Sequence, residues 1–525
     1  MMLKVTTAAD LQTERLELEA DAVVVGSGAG GAVMAYELAA AGKRVVVLEA
    51  GPYVPSSRFN EKFPDMLELL YEEHGNQANK AGDLLVLQGR CLGGSTVVNG
   101  CVAFRVPDFI LEKWGREFGL TNLTPESLAP YFDKVERNLS IHTNQPHEIN
   151  RNSQKLQAGA ETLGWSVKPL NRNIRDCALT GHCLSGCKTD RKQSMLVTYL
   201  PWASHYGAKI YSDTRVTRIL AEQEHGQVNA QANRYGKVQG VEAETIDPLT
   251  GRKVADVRVK APLVVAAAGA VQTPLLFLHS QLGNASGQVG RNFACHPSTM
   301  IVAEFAEEIF TWQGAMLGVY VDEFEHPDKG GFVLEGGGAG PVELGMATEP
   351  GTGAAYLDFM SRAKHYASCV SLIHDHNVGR VSLVDGQKRI EYAIDERDFP
   401  AIKAAFKAAA RIYFAAGAER VFLPTGDKWV IESVEQIDAV VDPIENHPFA
   451  LRMVSYHPQG TMRMGSDPAR SVVNPYGESH QVKGLFVSDA SLFPTSIIVN
   501  PQESVYALSH YIAEHILARA EHYFA

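Results

Sequence analysis

Residues 21–31, Asp-Ala-Val-Val-Val-Gly-Ser-Gly-Ala-Gly-Gly, run from an apolar stretch straight into a cluster of glycines. The Asp21–Val25 stretch has the pattern of a short strand buried on both faces. Ala32–Ala41 has helical composition, and Gly42 stands where a left-handed glycine commonly ends a helix. A second apolar run, Arg44–Glu49, follows. Strand, glycine turn, helix and strand within about 30 residues make a βαβ unit with a right-handed crossover. Gly26, Gly28 and Gly31 fit the spacing G-x-G-x-x-G. Gly26 permits the tight turn, Gly28 lets a pyrophosphate approach the backbone, and Gly31 lets helix and strand pack closely. The anion then lies at the start of the helix, around Ala29, where free N–H groups and the dipole favour it. Glu49 closes the second strand, where a carboxylate can accept from a ribose hydroxyl. A plain glycine-rich turn is the competing explanation, and the strand, helix and acid in their places argue against it.

The chain has 525 residues, enough for about three domains or two large ones. Hydrophobic residues at 45% and charged residues at 21% are those of an ordinary globular protein. Lys and Arg number 48 against 60 Asp and Glu, a formal charge of −12 with no basic block, which argues against a nucleic-acid binder. Seven cysteines are too few and odd in number for a disulfide-stapled secreted domain. The N-terminus shows no apolar signal-peptide core. The most apolar stretch, Leu263–Leu278, is interrupted by Gly269, Gln272, Thr273 and Pro274, so no transmembrane segment is expected. A cytoplasmic location is the simplest expectation.

Strand-like apolar runs recur far downstream, at Leu263–Ala267 and Leu485–Ser488. Between about 300 and 450 the pattern changes to alternating segments (Thr299–Phe305, Gly379–Leu383, Arg389–Ile394) and one long helical stretch, Phe399–Ala416. The polar segment Thr143–Gln154 has the composition of a surface connection. The expected fold is α/β. A Rossmann-like domain is assembled from the discontinuous segments 16–130, 205–300 and 452–525. A substrate domain with an antiparallel sheet and helices takes 131–204 and 301–451.

Further segments carry a family resemblance. Gly89-Arg-Cys-Leu-Gly-Gly-Ser-Thr-Val-Val-Asn-Gly100 resembles the first signature of the glucose–methanol–choline (GMC) flavoprotein oxidoreductases, and Gly269-Ala-Val-Gln-Thr-Pro-Leu-Leu276 resembles the second. Val289–Pro297, Ser455–Gly465, Leu485–Ser491 and Val499–Glu503 resemble later segments of the family in the same order. The resemblance implies FAD as cofactor. It places Gly26, Gly28, Ala29, Gly31, Glu49 and Ala50 around the adenosine end. Arg90, Gly93, Gly94, Ser95, Asn99 and Gly100 come from the first signature, and Val216, Gly269, Asp489, Ala490, Asn500 and Pro501 complete the binding set. Some members bond the flavin covalently through a histidine; Val98 stands at that position here, which implies non-covalent FAD.

The resemblance also implies a catalytic pair. His457 corresponds to the histidine that takes the hydroxyl proton while hydride passes to flavin N5, a task suited to an imidazole near neutral pH. Asn500 corresponds to the position that hydrogen-bonds the substrate oxygen. It also has the look of a helix N-cap, with Pro501 at N1 of a helix running to Ala518. Cys177, Cys183 and Cys187 are spaced C-x5-C-x3-C, which resembles family dehydrogenases carrying a three-iron, four-sulfur (3Fe–4S) cluster; free thiols or a redox-labile disulfide is the alternative. Phe104–Phe109 and the cysteine loop resemble the long-chain alcohol oxidase branch, which implies oxidation of an apolar primary alcohol with oxygen as acceptor. A dehydrogenase passing electrons through the cluster to an electron-accepting partner protein is the second expectation. A lyase or non-redox protein on the same scaffold is the third.

Overall fold

A computed structural model describes residues 3–223, 235–347, 352–376, 378–425 and 430–524. The valine-rich runs become the centre of a five-stranded parallel sheet, ordered Leu485–Val487, Leu263–Ala266, Ala22–Val25, Val45–Leu48 and Lys209–Tyr211. All four residues of Ala22–Val25 and of Val45–Leu48 are buried, as strands covered on both faces must be. The helix Ala29–Ala40 crosses between these two strands and packs against the helices Tyr199–His205 and Gln502–Ala518. Gly42 has φ +80°, the left-handed geometry expected after a helix end. A four-stranded sheet, in the order Arg15–Glu19, Lys253–Lys260, Tyr235–Ile246 and Thr214–Gln223, lies beside this unit.

The first alternating segment of the middle region enters a large sheet. Ser298–Glu304, Tyr366–Ile373, Phe332–Gly337 and Leu317–Val321 are successive antiparallel neighbours in it. The helices Arg151–Thr162 and Phe399–Ala415 pack on that sheet around a second apolar core. Gly379–Val384 and Gln387–Glu391 pair in a separate small sheet.

Three sequence expectations change. The polar stretch 143–154 is more than a surface connection: exposed residues alternate with side chains anchored inside the fold. Asn144 donates to the carbonyls of Leu317 and Gly318, Asn152 to those of Gly337 and Ser368, and Glu148 is paired with the fully buried Arg172. Polar side chains that satisfy backbone groups inside the fold look like solvent-facing ones by composition alone. The boundary drawn at residue 130 falls inside the helix Pro125–Leu139, which packs on Gln502–Ala518, and the one at 204 falls inside Tyr199–His205. Finally, Leu84–Val86 pairs with Met453–Ser455 as part of the large sheet, so chain from both terminal regions enters it.

Candidate active site

Strands ending at Val25 and Ala266 deliver two glycine turns to the same edge of the parallel sheet, where open α/β folds bind ligands. Gly26 has φ +95°, and a Cβ there would lie 2.4 Å from the Ala267 carbonyl oxygen. A Cβ on Gly31 would lie 2.0 Å from the carbonyl oxygen of Gly26, so Gly31 sets the packing of helix on turn. Gly94 (φ +55°) brings its backbone against Gly28. The turn and the first signature therefore meet backbone to backbone. Glu49 ties them together: one oxygen accepts from the Ser27 N–H (2.9 Å) and hydroxyl (2.6 Å), the other from the Gly51 N–H (2.8 Å). Ser27 Oγ in turn accepts from the Gly93 N–H at 2.9 Å.

These segments wall a cavity of about 1060 Å³. Gly26, Gly28, Ala29, Glu49, Ala50, Arg90, Gly94, Ser95, Asn99 and Gly100 line it, as do Val216, Gly269, Asp489, Ala490, Pro501, His457 and Asn500. Gly31 and Gly93 do not; they shape the wall from behind. The volume, the glycine-backed wall and the helix starting at Ala29, whose Gly28 cap offers no side-chain acceptor, together fit a bound dinucleotide. Asp489 reaches the cavity with its carboxylate already engaged, accepting from Gly269 N–H, Thr273 Oγ1 and the Ser491 N–H and hydroxyl. Val98 is buried in the apolar core that surrounds the parallel sheet.

The proposed catalytic pair shares this cavity. Asn500 is not the N-cap: Pro501 occupies that position ahead of Gln502–Ala518, and Asn500 Oδ1 is buried without a hydrogen-bond partner. Its amide lies beside Glu335, in the strand Phe332–Gly337. Glu335 is 2% exposed, lines the same cavity and has one carboxylate oxygen without a partner. Burial pushes its pKa up to about 7, with the Asn500 amide pulling the other way.

His457 is fixed by a network. Ile498 N–H donates to His296 Nε2 at 3.0 Å, and Gln459 Nε2 lies 3.0 Å from the same nitrogen. Gln459 is oriented by its own bonds to the His457 carbonyl and the Ile497 N–H. His296 Nε2 is thus an acceptor, its Nδ1 carries the proton, and that N–H points at His457 Nδ1, 3.3 Å away. Neutral His457 then carries its own proton on Nε2. Burial pushes its pKa down to about 3. Ile498 holds φ +63°, a left-handed conformation costly for a β-branched residue, and His296 holds φ +45°. Glu335, His296 and Gln459 were not singled out from sequence. The available signal was one acid inside the apolar run Phe332–Gly337, and a histidine within the quoted segment Val289–Pro297.

The cysteine loop departs from the cluster expectation. Among the described residues, no three His, Cys, Asp or Glu side chains are placed to hold a metal ion. Cys187 Sγ accepts from the Lys192 N–H at 3.4 Å, and Cys183 lies beside the Cys101 thiol. That neighbour, with Lys192 and Arg172 nearby, pushes the Cys183 thiol below its ordinary range despite its burial. The loop is pinned to the first signature: Lys192 Nζ donates to the carbonyls of Cys183 (2.8 Å) and Asn99 (2.9 Å), and Tyr71 OH to that of Leu184 (2.7 Å). No helix among the described residues is long and apolar enough to cross a membrane.

Comparison with known proteins agrees with this architecture. Models of the GMC oxidoreductase family match residues 12–298 and 375–509. A GMC-type oxidoreductase of Mycobacterium tuberculosis is 34% identical over 95% of this chain and 76% of its own length. A long-chain-alcohol oxidase of Arabidopsis thaliana is 27% identical over 97% of this chain and 69% of its own. Among solved structures, pyridoxine 4-oxidase from Mesorbium loti superimposes with a TM-score of 0.68 at 20% identity, covering 95% of this chain and 99% of that one.

Proposed function

The chain belongs to the GMC oxidoreductase family of FAD-dependent enzymes, and from that premise we propose that it oxidises an apolar primary alcohol to the aldehyde, with oxygen as acceptor. The observation that carries the substrate class is the cavity itself. Met300, Met316, Leu317, Val370 and Leu372 line the space that also contains His457 and Asn500. An apolar tail buried against these side chains gains about 0.8 kcal/mol per CH₂. The similarity to a long-chain-alcohol oxidase supports the same class. Bound in the cavity, FAD supplies the acceptor for the hydride of the alcohol carbon. The chain's own residues bind and orient: Gly26, Gly28, Gly94 and the start of the helix at Ala29 receive the dinucleotide, and His457 and Asn500 meet the hydroxyl.

The experiment is a panel of straight-chain, branched and sugar alcohols, assayed with oxygen and with an artificial acceptor alongside iron analysis. Turnover that rises with chain length and releases peroxide is expected. Near three irons per FAD with slow peroxide formation would instead favour a dehydrogenase served by the cysteine loop, and an alcohol-insensitive flavin would remove the redox reading.

Attachment of the cofactor gives a separate check. With Val98 at the position of the linking histidine, acid precipitation should leave all the yellow colour in the supernatant. Flavin retained in the pellet would show that another residue forms a covalent link.

A further inference from the structure

Behind His457, His296 is held in a backbone conformation that its sequence disfavours. It precedes Pro297, and a residue before proline prefers extended backbone, yet its φ is +45°. The turn serves the site. It carries the His296 imidazole to the His457 ring, Nδ1 to Nδ1 at 3.3 Å, with the ring planes 78° apart. The same turn is zipped to the chain around His457. Ala294 and Gln459 exchange both backbone bonds, at 3.1 and 2.9 Å, and Ser455 Oγ donates to the Cys295 carbonyl at 2.7 Å.

A carboxylate from the large sheet grips this turn. Ser298–Glu304 and Tyr366–Ile373 pair with Ser298 opposite Leu372, so residues just before the first strand meet residues just after the second. Asp375 stands there, 2% exposed. Its Oδ2 accepts from the Cys295 N–H at 2.9 Å and its Oδ1 from the His296 N–H at 3.1 Å, two successive amides converging on one anion. Tyr392 OH adds a third bond, to Oδ2 at 3.0 Å. Burial, with Asp398 nearby, pushes the pKa of Asp375 up to about 6; above that pH it is the acceptor-only anion that three donors require. The cost of burying it is offset by those donors, and two of the three belong to the turn behind His457.

We propose that Asp375 is a positioning residue for the oxidation: by gripping the Cys295 and His296 amides it holds the His296 ring against His457, and so fixes where the His457 imidazole meets the substrate's hydroxyl; this rests on the alcohol-oxidising reading. Neither Asp375 nor His296 lines the cavity, so Asp375 acts through His457 and not on the alcohol itself. Asparagine has the same shape but offers one acceptor oxygen, and its NH₂ confronts the other N–H. The turn then relaxes and His457 loses its brace, while Met300, Leu317 and Leu372 still receive the apolar tail.

The test is a double-mutant cycle on holoenzymes mixed with decanol without oxygen, at a pH where Asp375 is ionised. Asp375→Asn is expected to keep its FAD and to lower the limiting rate of flavin reduction about 10–10²-fold, with the half-saturating decanol concentration changed less than about twofold. In a His296→Ala background the same substitution should cost less than about twofold more, because the contact it serves is already gone. Tyr392→Phe removes only the third bond and runs the same cycle at smaller amplitude, so it decides the question if Asp375→Asn yields no folded protein. A wild-type limiting rate, a full loss repeated in the His296→Ala background, or a loss confined to decanol binding overturns the proposal while the alcohol-oxidising reading stands. A wild-type flavin that no alcohol reduces overturns both.

Discussion

Replacing His457 by alanine lowers flavin reduction by alcohol about 10²–10⁴-fold, while the protein keeps its FAD and its melting temperature. The magnitude is that of one lost proton-transfer group or one lost donor to a developing oxyanion. Its origin lies in how rigidly the ring is held. The side chain is clamped through His296, which the backbone N–H of Ile498 fixes in turn, so its donor needs no reorganisation when charge develops on the substrate. Removing the imidazole leaves His296 with a free Nδ1–H and an opening into which water can step. Asn500→Ala is expected to lose less in the chemical step, because it acts through orientation of the hydroxyl. Transient kinetics without oxygen separate these effects, since they observe flavin bleaching before any reaction with the acceptor. Wild-type bleaching in His457→Ala would remove this residue from the chemistry altogether.

Gly30→Ala should abolish FAD retention and sharply lower the yield of folded protein. A Cβ on Gly30 would sit 1.7 Å from the Ser488 carbonyl oxygen and 2.6 Å from its carbon, inside the strand Leu485–Val487 and its exit. The clash is with backbone, so no rotamer change relieves it. Either the helix Ala29–Ala40 lifts off the sheet or the Ser488–Asp489 turn moves, and both line or support the cavity. Overpacking in a well-packed interior costs about 1–3 kcal/mol when side chains can adjust; here they cannot, and the loss should exceed that. Gly42→Ala is the control. Gly42 has φ +80° but nothing within 4 Å of an added Cβ, so only left-handed strain of about 1–2 kcal/mol is at stake. Flavin content and thermal melting of the two variants should therefore differ widely. Equal behaviour would mean that helix and strand are not held in this close approach.

What could be read from residues alone was everything that follows from local periodicity and backbone chemistry. The βαβ unit was legible because a four-residue apolar strand, a run of glycines and a helix leave few ways to bury both faces of a strand. The helix Phe399–Ala415 and the alternating strands of the middle region were legible for the same reason. Glu49, Asp489, His457 and Asn500 could be named because they stand in motif segments, and they do reach one cavity.

Whatever depends on partners distant in the chain was not legible. Asn144 and Asn152 look like loop residues until they are seen bonding carbonyls more than 170 positions away. The three cysteines have a ligand-like spacing, yet Cys183 is turned to Cys101, 82 positions earlier, and Cys187 to its own loop. Spacing along a chain does not fix the direction of thiols in a non-helical loop. Above all, the protonation pattern of the site belongs to the fold. His457 is a candidate base by residue type, but the direction of its proton is set by His296, Gln459 and the backbone at Ile498. Glu335 is one acid among 60 acidic residues in the sequence. Only the tertiary fold buries it beside Asn500 with an oxygen left unpaired, and burial is what raises its pKa.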